Sequence, residues 1–196
     1  MNKRVLFLFI AVITTASYAQ AQINAKIGIR AGLNLSNLYG ANTAKFLKFK
    51  PGFQAGAVVD LTFNSDIFSI QPGIVFSQLG AQEKEDGEAI IMNLNYIQVP
   101  FNMQAKFGDF FLLVGPYLGY GVGVNVKEKA DGVKLSESGS FKDAGFKSLN
   151  YGWGIGVGYQ IGPVQAALNT QLSSNINDDS GNVYNIGLAL TATYFF

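Results

Sequence analysis

Hydrophobic and polar positions alternate along most of this chain. The last stretch shows it best: Tyr184, Ile186, Leu188, Leu190, Ala192, Tyr194 and Phe196 occupy even positions, with Asn185, Gly187, Ala189, Thr191 and Thr193 between them. A period of two over a dozen residues predicts a β-strand with one apolar face and one small or polar face. The same alternation recurs in 26–35, 52–63, 67–78, 94–107, 110–126, 149–161 and 164–173. In 110–126 the apolar set is Phe110, Leu112, Val114, Leu118, Val122 and Val124, set against Gly115, Tyr117, Gly119, Gly121 and Gly123. In 149–161 Leu149, Tyr151, Trp153, Ile155, Val157 and Tyr159 interleave with the glycine ladder Gly152, Gly154, Gly156 and Gly158. Connections alternate as well. Asn64–Asp66, Gly108-Asp109 and Gly162-Pro163 are tight turns, whereas 36–51, 79–91, 127–148 and 174–182 are long and polar. Eight strands joined long, short, long in turn predict an eight-stranded antiparallel up-and-down β-barrel with one elaborated end.

The residue sizes decide which face is inside. An eight-stranded barrel has an interior just wide enough for side chains to fill. Trp153, Tyr151, Tyr159, Phe101, Phe68 and Phe76 would not fit there together with rows of Leu and Ile. With bulky residues outward and glycines and amides inward, both faces make sense, and the barrel is a transmembrane one. The strand charges agree, because Lys26, Arg30, Asp60 and Lys106 all fall on the small, polar face. A charge facing lipid at mid-depth costs roughly 2–4 kcal/mol, which excludes such residues from the outer face. Outward aromatics gather toward strand ends, the arrangement of two interfacial girdles: Phe63, Phe68, Phe107, Phe110, Tyr159, Tyr194 and Phe196 near short turns, Phe53, Phe76, Tyr151 and Tyr184 near long loops.

The first residues change where this barrel belongs. Met1-Asn2-Lys3-Arg4, an apolar run from Val5 to Val12 and Ala19-Gln20-Ala21 form a secretory signal peptide over 1–21, leaving a mature barrel domain over 22–196. The apolar run is far shorter than the ~20 residues of a spanning helix. The chain has 196 residues and no Cys, so neither a disulfide framework nor a lipid-modified cysteine anchor applies. Without Lys3 and Arg4, 12 of the 14 basic residues face 13 acidic ones, a net charge of −1. Nothing in that balance suggests nucleic acid as a partner.

Three short motifs carry a family likeness: Ile27-Gly28-Ile29-Arg30-Ala31-Gly32-Leu33-Asn34, Asn95-Tyr96-Ile97-Gln98-Val99-Pro100 and the terminal Tyr194-Phe195-Phe196. With them the mature chain resembles the PorT-like family of Gram-negative outer-membrane β-barrels. The resemblance implies an outer-membrane location, outer-membrane lipid around the wall, and reading of Phe196 by the barrel-assembly machinery. Members often place an acidic residue where Gln98 stands here and again near Gln165. A namesake of the family serves protein secretion and gliding, while many relatives have no known role.

Candidate chemistry is sparse. The sequence has no His, which removes Ser-His-Asp catalysis, and without Cys it removes zinc sites built on those ligands. An enzyme is not expected, and no cofactor is implied. Asn175, Asn177, Asp178 and Asp179 offer oxygen ligands of the kind calcium takes, but they read better as a solvated turn, so no metal is assigned. The ladder at 152–158 lacks the G-x-G-x-x-G spacing and the following helix of a dinucleotide site. Gly119, Gly121, Gly123, Gly152, Gly154, Gly156 and Gly158 instead form a luminal glycine wall, leaving room for inward side chains such as Tyr96 and Tyr117. Lys26, Arg30, Asp60, Lys106, Gln98 and Gln165 form the expected luminal polar network, with Arg30 paired to Asp60 and with Lys26 and Lys106 near a solvated rim. Three functions fit this pattern. The first is a structural or interaction barrel with a polar-plugged lumen, whose surface loops, 127–148 foremost, meet an extracellular ligand. The others are a narrow channel for small solutes and an accessory part of a secretion system.

Overall fold

A computed structural model describes residues 23–40, 48–63, 67–85, 88–130, 133–177 and 182–196. The leader assigned to 1–21 lies outside the described residues, as do Asp178 and Asp179. The strands are β1 (Ile23–Gly40), β2 (Lys50–Phe63), β3 (Phe68–Glu85), β4 (Glu88–Phe107), β5 (Phe110–Ala130), β6 (Val133–Gly139), β7 (Leu149–Ile161), β8 (Val164–Ser173) and β9 (Val183–Phe195). Eight of them form an antiparallel ring, β1-β2-β3-β4-β5-β7-β8-β9, which closes where β9 pairs with β1 (Leu33↔Leu190). The short β6 pairs only with β5, beyond the ring.

Face assignment follows the alternation. Ile29, Phe53, Ile74, Phe101, Leu112, Trp153, Leu168 and Leu190 are exposed on the outer wall, whereas Asn34, Gln54, Gln71, Gln98, Gln104, Asn150, Gln165 and Thr193 are buried within. Aromatic pairs mark the two ends of the outer face. Tyr39–Tyr184 and Phe53–Phe76 lie toward the long connections, Phe110–Tyr159 and Tyr194–Phe196 toward the short turns. From Phe53 to Phe63 the strand β2 runs about 33 Å at 3.3 Å per residue, and a tilt of about 40° reduces this to about 25 Å, the height of a membrane-barrel apolar band.

Three expectations are corrected. The ranges 79–91 and 127–148 are not mainly loop: β3 continues to Glu85, β4 starts at Glu88, β5 runs to Ala130, and β6 follows. These stretches keep their ladder (Gln82↔Ile91, Lys127↔Ser136) without the apolar outer row that lipid demands, so their strands leave little hydropathy signal. Val124 is buried rather than lipid-facing. The cause is a bulge: Asn95 pairs with Gly123 but Tyr96 pairs with Gly121, so Val122 is an extra residue and the faces exchange beyond it. For the same reason Gly123 leaves the inner wall, opposite outward Asn95.

Candidate functional site

The barrel interior holds the polar chemistry, and it has two storeys. The lower one, toward the short turns, centres on Asp60. Its Oδ2 accepts hydrogen bonds from Lys106 Nζ at 3.1 Å and Thr62 Oγ1 at 2.8 Å, and its Oδ1 accepts one from Gln71 Nε2 at 3.3 Å. Lys106–Asp60 is the one ion pair among the described residues. Arg30 donates through Nε to Thr193 Oγ1 at 2.9 Å and through Nη2 to Gln71 Oε1. Gln71 therefore stands between Arg30 and Asp60. Gln71 Nε2 also donates to Gln165 Oε1 at 3.1 Å, and Gln165 exchanges hydrogen bonds with Gln104 at 3.4 Å.

The direct Arg30–Asp60 pair is thus replaced by a relay. Strand register is the reason: Asp60 lies opposite Lys26 and Arg30 opposite Gly56, which puts the two charges four residues apart along the wall. Gln71 then fills the space between. Lys106 keeps 21% of its side chain exposed and is Asp60's partner. Lys26 is exposed and makes no hydrogen bond to another described residue; it lines a mouth of about 490 Å³ with Asp60, Lys106, Asp109, Gln160 and Phe195. Gln98 is buried outside this network, and its Nε2 has no hydrogen-bond partner among the described residues. Of the six expected network members, Arg30, Asp60, Lys106 and Gln165 come together, joined by Gln71, Gln104 and Thr193.

The upper storey, toward the long connections, is apolar. Leu38, Leu79, Ala81, Leu94, Tyr96, Val124 and Val183 converge from the strands, and Phe141 and Ile176 drop onto them from the connections β6–β7 and β8–β9, 2% and 0% exposed. The Phe141 ring meets Tyr96 edge-on at 4.9 Å. A short turn aims Phe141 inward: Ser140 Oγ donates to Asp143 Oδ2 at 2.7 Å and accepts from Asp143 N at 3.2 Å. The Ser140 hydroxyl holds the exposed Asp143 carboxyl below its usual range. In the β8–β9 connection, Asn175 Oδ1 accepts from the backbone N–H groups of Asn177 and Val183, closing the turn that carries Ile176.

The glycine wall accommodates these inward rings. A Cβ at Gly152 would lie 2.8 Å from the Tyr117 ring and press on Leu172 O; at Gly158 it would strike Phe111, and at Gly121 Phe141. At Gly156 it would reach Asn169 at 2.6 Å. Gly119 and Gly154 have ordinary clearance, 3.5 Å to Gln98 and to Thr170 O, and Gly123 has nothing within 4 Å.

Sequence reasoning passed over several interior residues. Gln71 and Gln104 both carry a signal: Gln104 shares the inward parity of Lys106 on β4, and Gln71 stands on the inward parity of β3 between Ile70 and Pro72. Lys50 falls in a range read as loop, yet it opens β2 on the inward parity and is 2% exposed, with Nζ donating to Pro51 O at 3.2 Å. Phe141 and Ile176 carry no periodic signal, because each is a single apolar residue in a connection.

No curated protein sequence matches the chain. Solved structures with a similar fold include Neisserial surface protein A, at 11% identity and a TM-score of 0.52, covering 88% of this chain and 99% of that one. Another is Ail, the attachment invasion locus protein of Yersinia pestis, solved with the heparin analogue sucrose octasulfate; it has 16% identity and a TM-score of 0.52, covering 88% and 99%. At these identities the likeness speaks for the fold alone. A family model described as outer membrane protein beta-barrel domain matches residues 18–179. With that match spanning most of its length and an eight-strand ring of matching architecture, the chain belongs to this family of outer-membrane β-barrels.

Proposed function

We propose that this chain, after cleavage of the leader at 1–21, is a non-enzymatic outer-membrane barrel with a closed lumen, acting through the sheet that β3 to β6 extend beyond the membrane. The observation that supports this reading is buried packing at two levels of the interior. Phe141 and Ile176 cover the interior from above, while the Arg30–Gln71–Asp60–Lys106 relay fills it below. Mixed charge on the extension, with Lys127, Glu128, Lys129 and Glu137 interspersed, suits contact with a protein or glycan surface. Phe196 ends the chain on the outer wall, its N–H donating to Ile27 O at 2.9 Å, where the assembly machinery would read it.

The competing reading is a narrow channel, and the 490 Å³ mouth at the short-turn end favours it as far as the ionic relay. Planar-bilayer recording with purified protein separates the two. A closed barrel gives no conductance steps above the lipid baseline; discrete steps that scale with salt would overturn the closed-lumen reading. The PorT-like kinship carried by Asn95-Tyr96-Ile97-Gln98-Val99-Pro100 extends the proposal to an accessory role in secretion. Comparing secreted proteins before and after deletion of the gene tests that extension, and an unchanged secretome would remove it.

A further inference from the structure

Inside the wall, charge does not balance. Arg30 points inward at membrane depth, Lys106 near the short-turn rim and Lys50 toward the upper end, while Asp60 is the one carboxylate among them and is bonded to Lys106. Asp60 is already occupied by Lys106, Thr62 and Gln71, so Arg30 has only the neutral partners Thr193 and Gln71. In a barrel surrounded by lipid, a cation without a counter-charge is costly, and the chain offers no second inward carboxylate beside Arg30 among the described residues.

Next to Arg30 lies a cavity of about 20 Å³, lined by Gln54, Gln98, Asn102, Asn169 and Gln171. Gln98 Nε2 is the buried N–H donor without a hydrogen-bond partner there. A space of that size holds one particle about as large as a water molecule, and excludes phosphate, sulfate or a carboxylate ligand. A water would accept from Gln98 but leave the guanidinium charge uncompensated. A monatomic anion would accept from the guanidinium and the amide together and cancel the excess charge. Val75 and Leu113 supply the apolar part of the wall, which a weakly hydrated halide tolerates.

We propose that the cavity beside Arg30 and Gln98 binds one small monovalent anion of chloride size, which serves as the missing counter-charge of the lumen. The site is independent of whether the barrel conducts. Crystals of the mature protein grown in bromide in place of chloride test it directly through bromide anomalous scattering. The expected result is one anomalous peak within hydrogen-bond reach of Arg30 and Gln98 Nε2. Density there without an anomalous signal would mean a water and would overturn the proposal. In solution, unfolding followed by Trp153 fluorescence at constant ionic strength should show a higher midpoint in chloride than in gluconate. Gln98→Glu supplies the counter-charge covalently, so both the bromide peak and the chloride dependence should disappear. An equal chloride dependence in the wild type and in Gln98→Glu would overturn it as well.

Discussion

The two storeys of the interior use opposite chemistry, and the outer wall changes with them. At membrane depth Phe76 and Ile97 face out, and the interior holds Gln71, Gln98, Gln104, Arg30 and Asp60, with Val58, Val75 and Leu113 between them. One rung further up, the outward pair is Gln78–Asn95, hydrogen-bonded at 3.3 Å, and then Asn93–Asn125 at 3.4 Å. There the interior becomes Leu79, Leu94, Val124, Phe141 and Ile176. The same strands are therefore inverted while lipid surrounds them and ordered like a soluble protein once water does. In the lower storey the solvent outside already accepts apolar side chains, so the interior is free to be polar provided each group finds a partner. In the upper storey burial from water is the driving force, and an apolar core forms as in any soluble domain.

That contrast sets the size of the expected mutational effects. Phe141→Ala should cost the most, about 3 kcal/mol of unfolding free energy, as for other large-to-small core changes. The loss should be localised: hydrogen exchange should rise around 140–148 and 174–177 while the amides of β1 near Arg30 stay protected. A uniform rise would mean that the two storeys are one cooperative unit. Asp60→Asn should cost about 2 kcal/mol, below the roughly 3–5 kcal/mol of a fully buried ion pair because Lys106 keeps a share of solvent. Urea unfolding in detergent micelles reads this, and Lys106→Met in the same background should recover part of the loss by removing the stranded charge. If Asp60→Asn leaves the midpoint unchanged, the ionic relay contributes nothing to stability. Smallest and most discriminating is a pair of glycine changes. Gly152→Ala presses on Leu172 O and Tyr117 and should cost about 1–2 kcal/mol, whereas Gly123→Ala, at the bulge with open space, should be neutral or stabilise by about 0.5 kcal/mol. Equal effects would remove the distinction between the packed wall and the bulge.

The ring was legible in the sequence because lipid enforces a strict rule on one face. Trp153, Ile155 and Val157 must alternate with something small, and the glycines between them fixed both the strand and its inner side. The same rule placed Arg30, Asp60 and Lys106 inside. It could not state which of them pair, since that depends on register, and a ladder that sets Lys26 rather than Arg30 opposite Asp60 is not written in either strand alone. Gln71 went unnoticed because one amide between two apolar neighbours looks like any other inward residue until its partners are known. Above the membrane the rule lapses. Strand extensions such as 79–85 and 127–130 then resemble loops, one bulge at Val122 is enough to turn Val124 inward, and two buried members of the upper cluster, Phe141 and Ile176, arrive from connections with no periodicity.

Closure of the lumen is the point on which the functional reading stands, and accessibility from the two sides of the outer membrane tests it most directly. The chain has no cysteine, so Lys26→Cys places a single thiol in the mouth at the short-turn end. In cells lacking general porins, a small membrane-impermeant methanethiosulfonate should leave this thiol unmodified, and permeabilising the outer membrane should make it react fully. Full reaction in intact cells would show a passage through the upper storey and contradict a closed barrel.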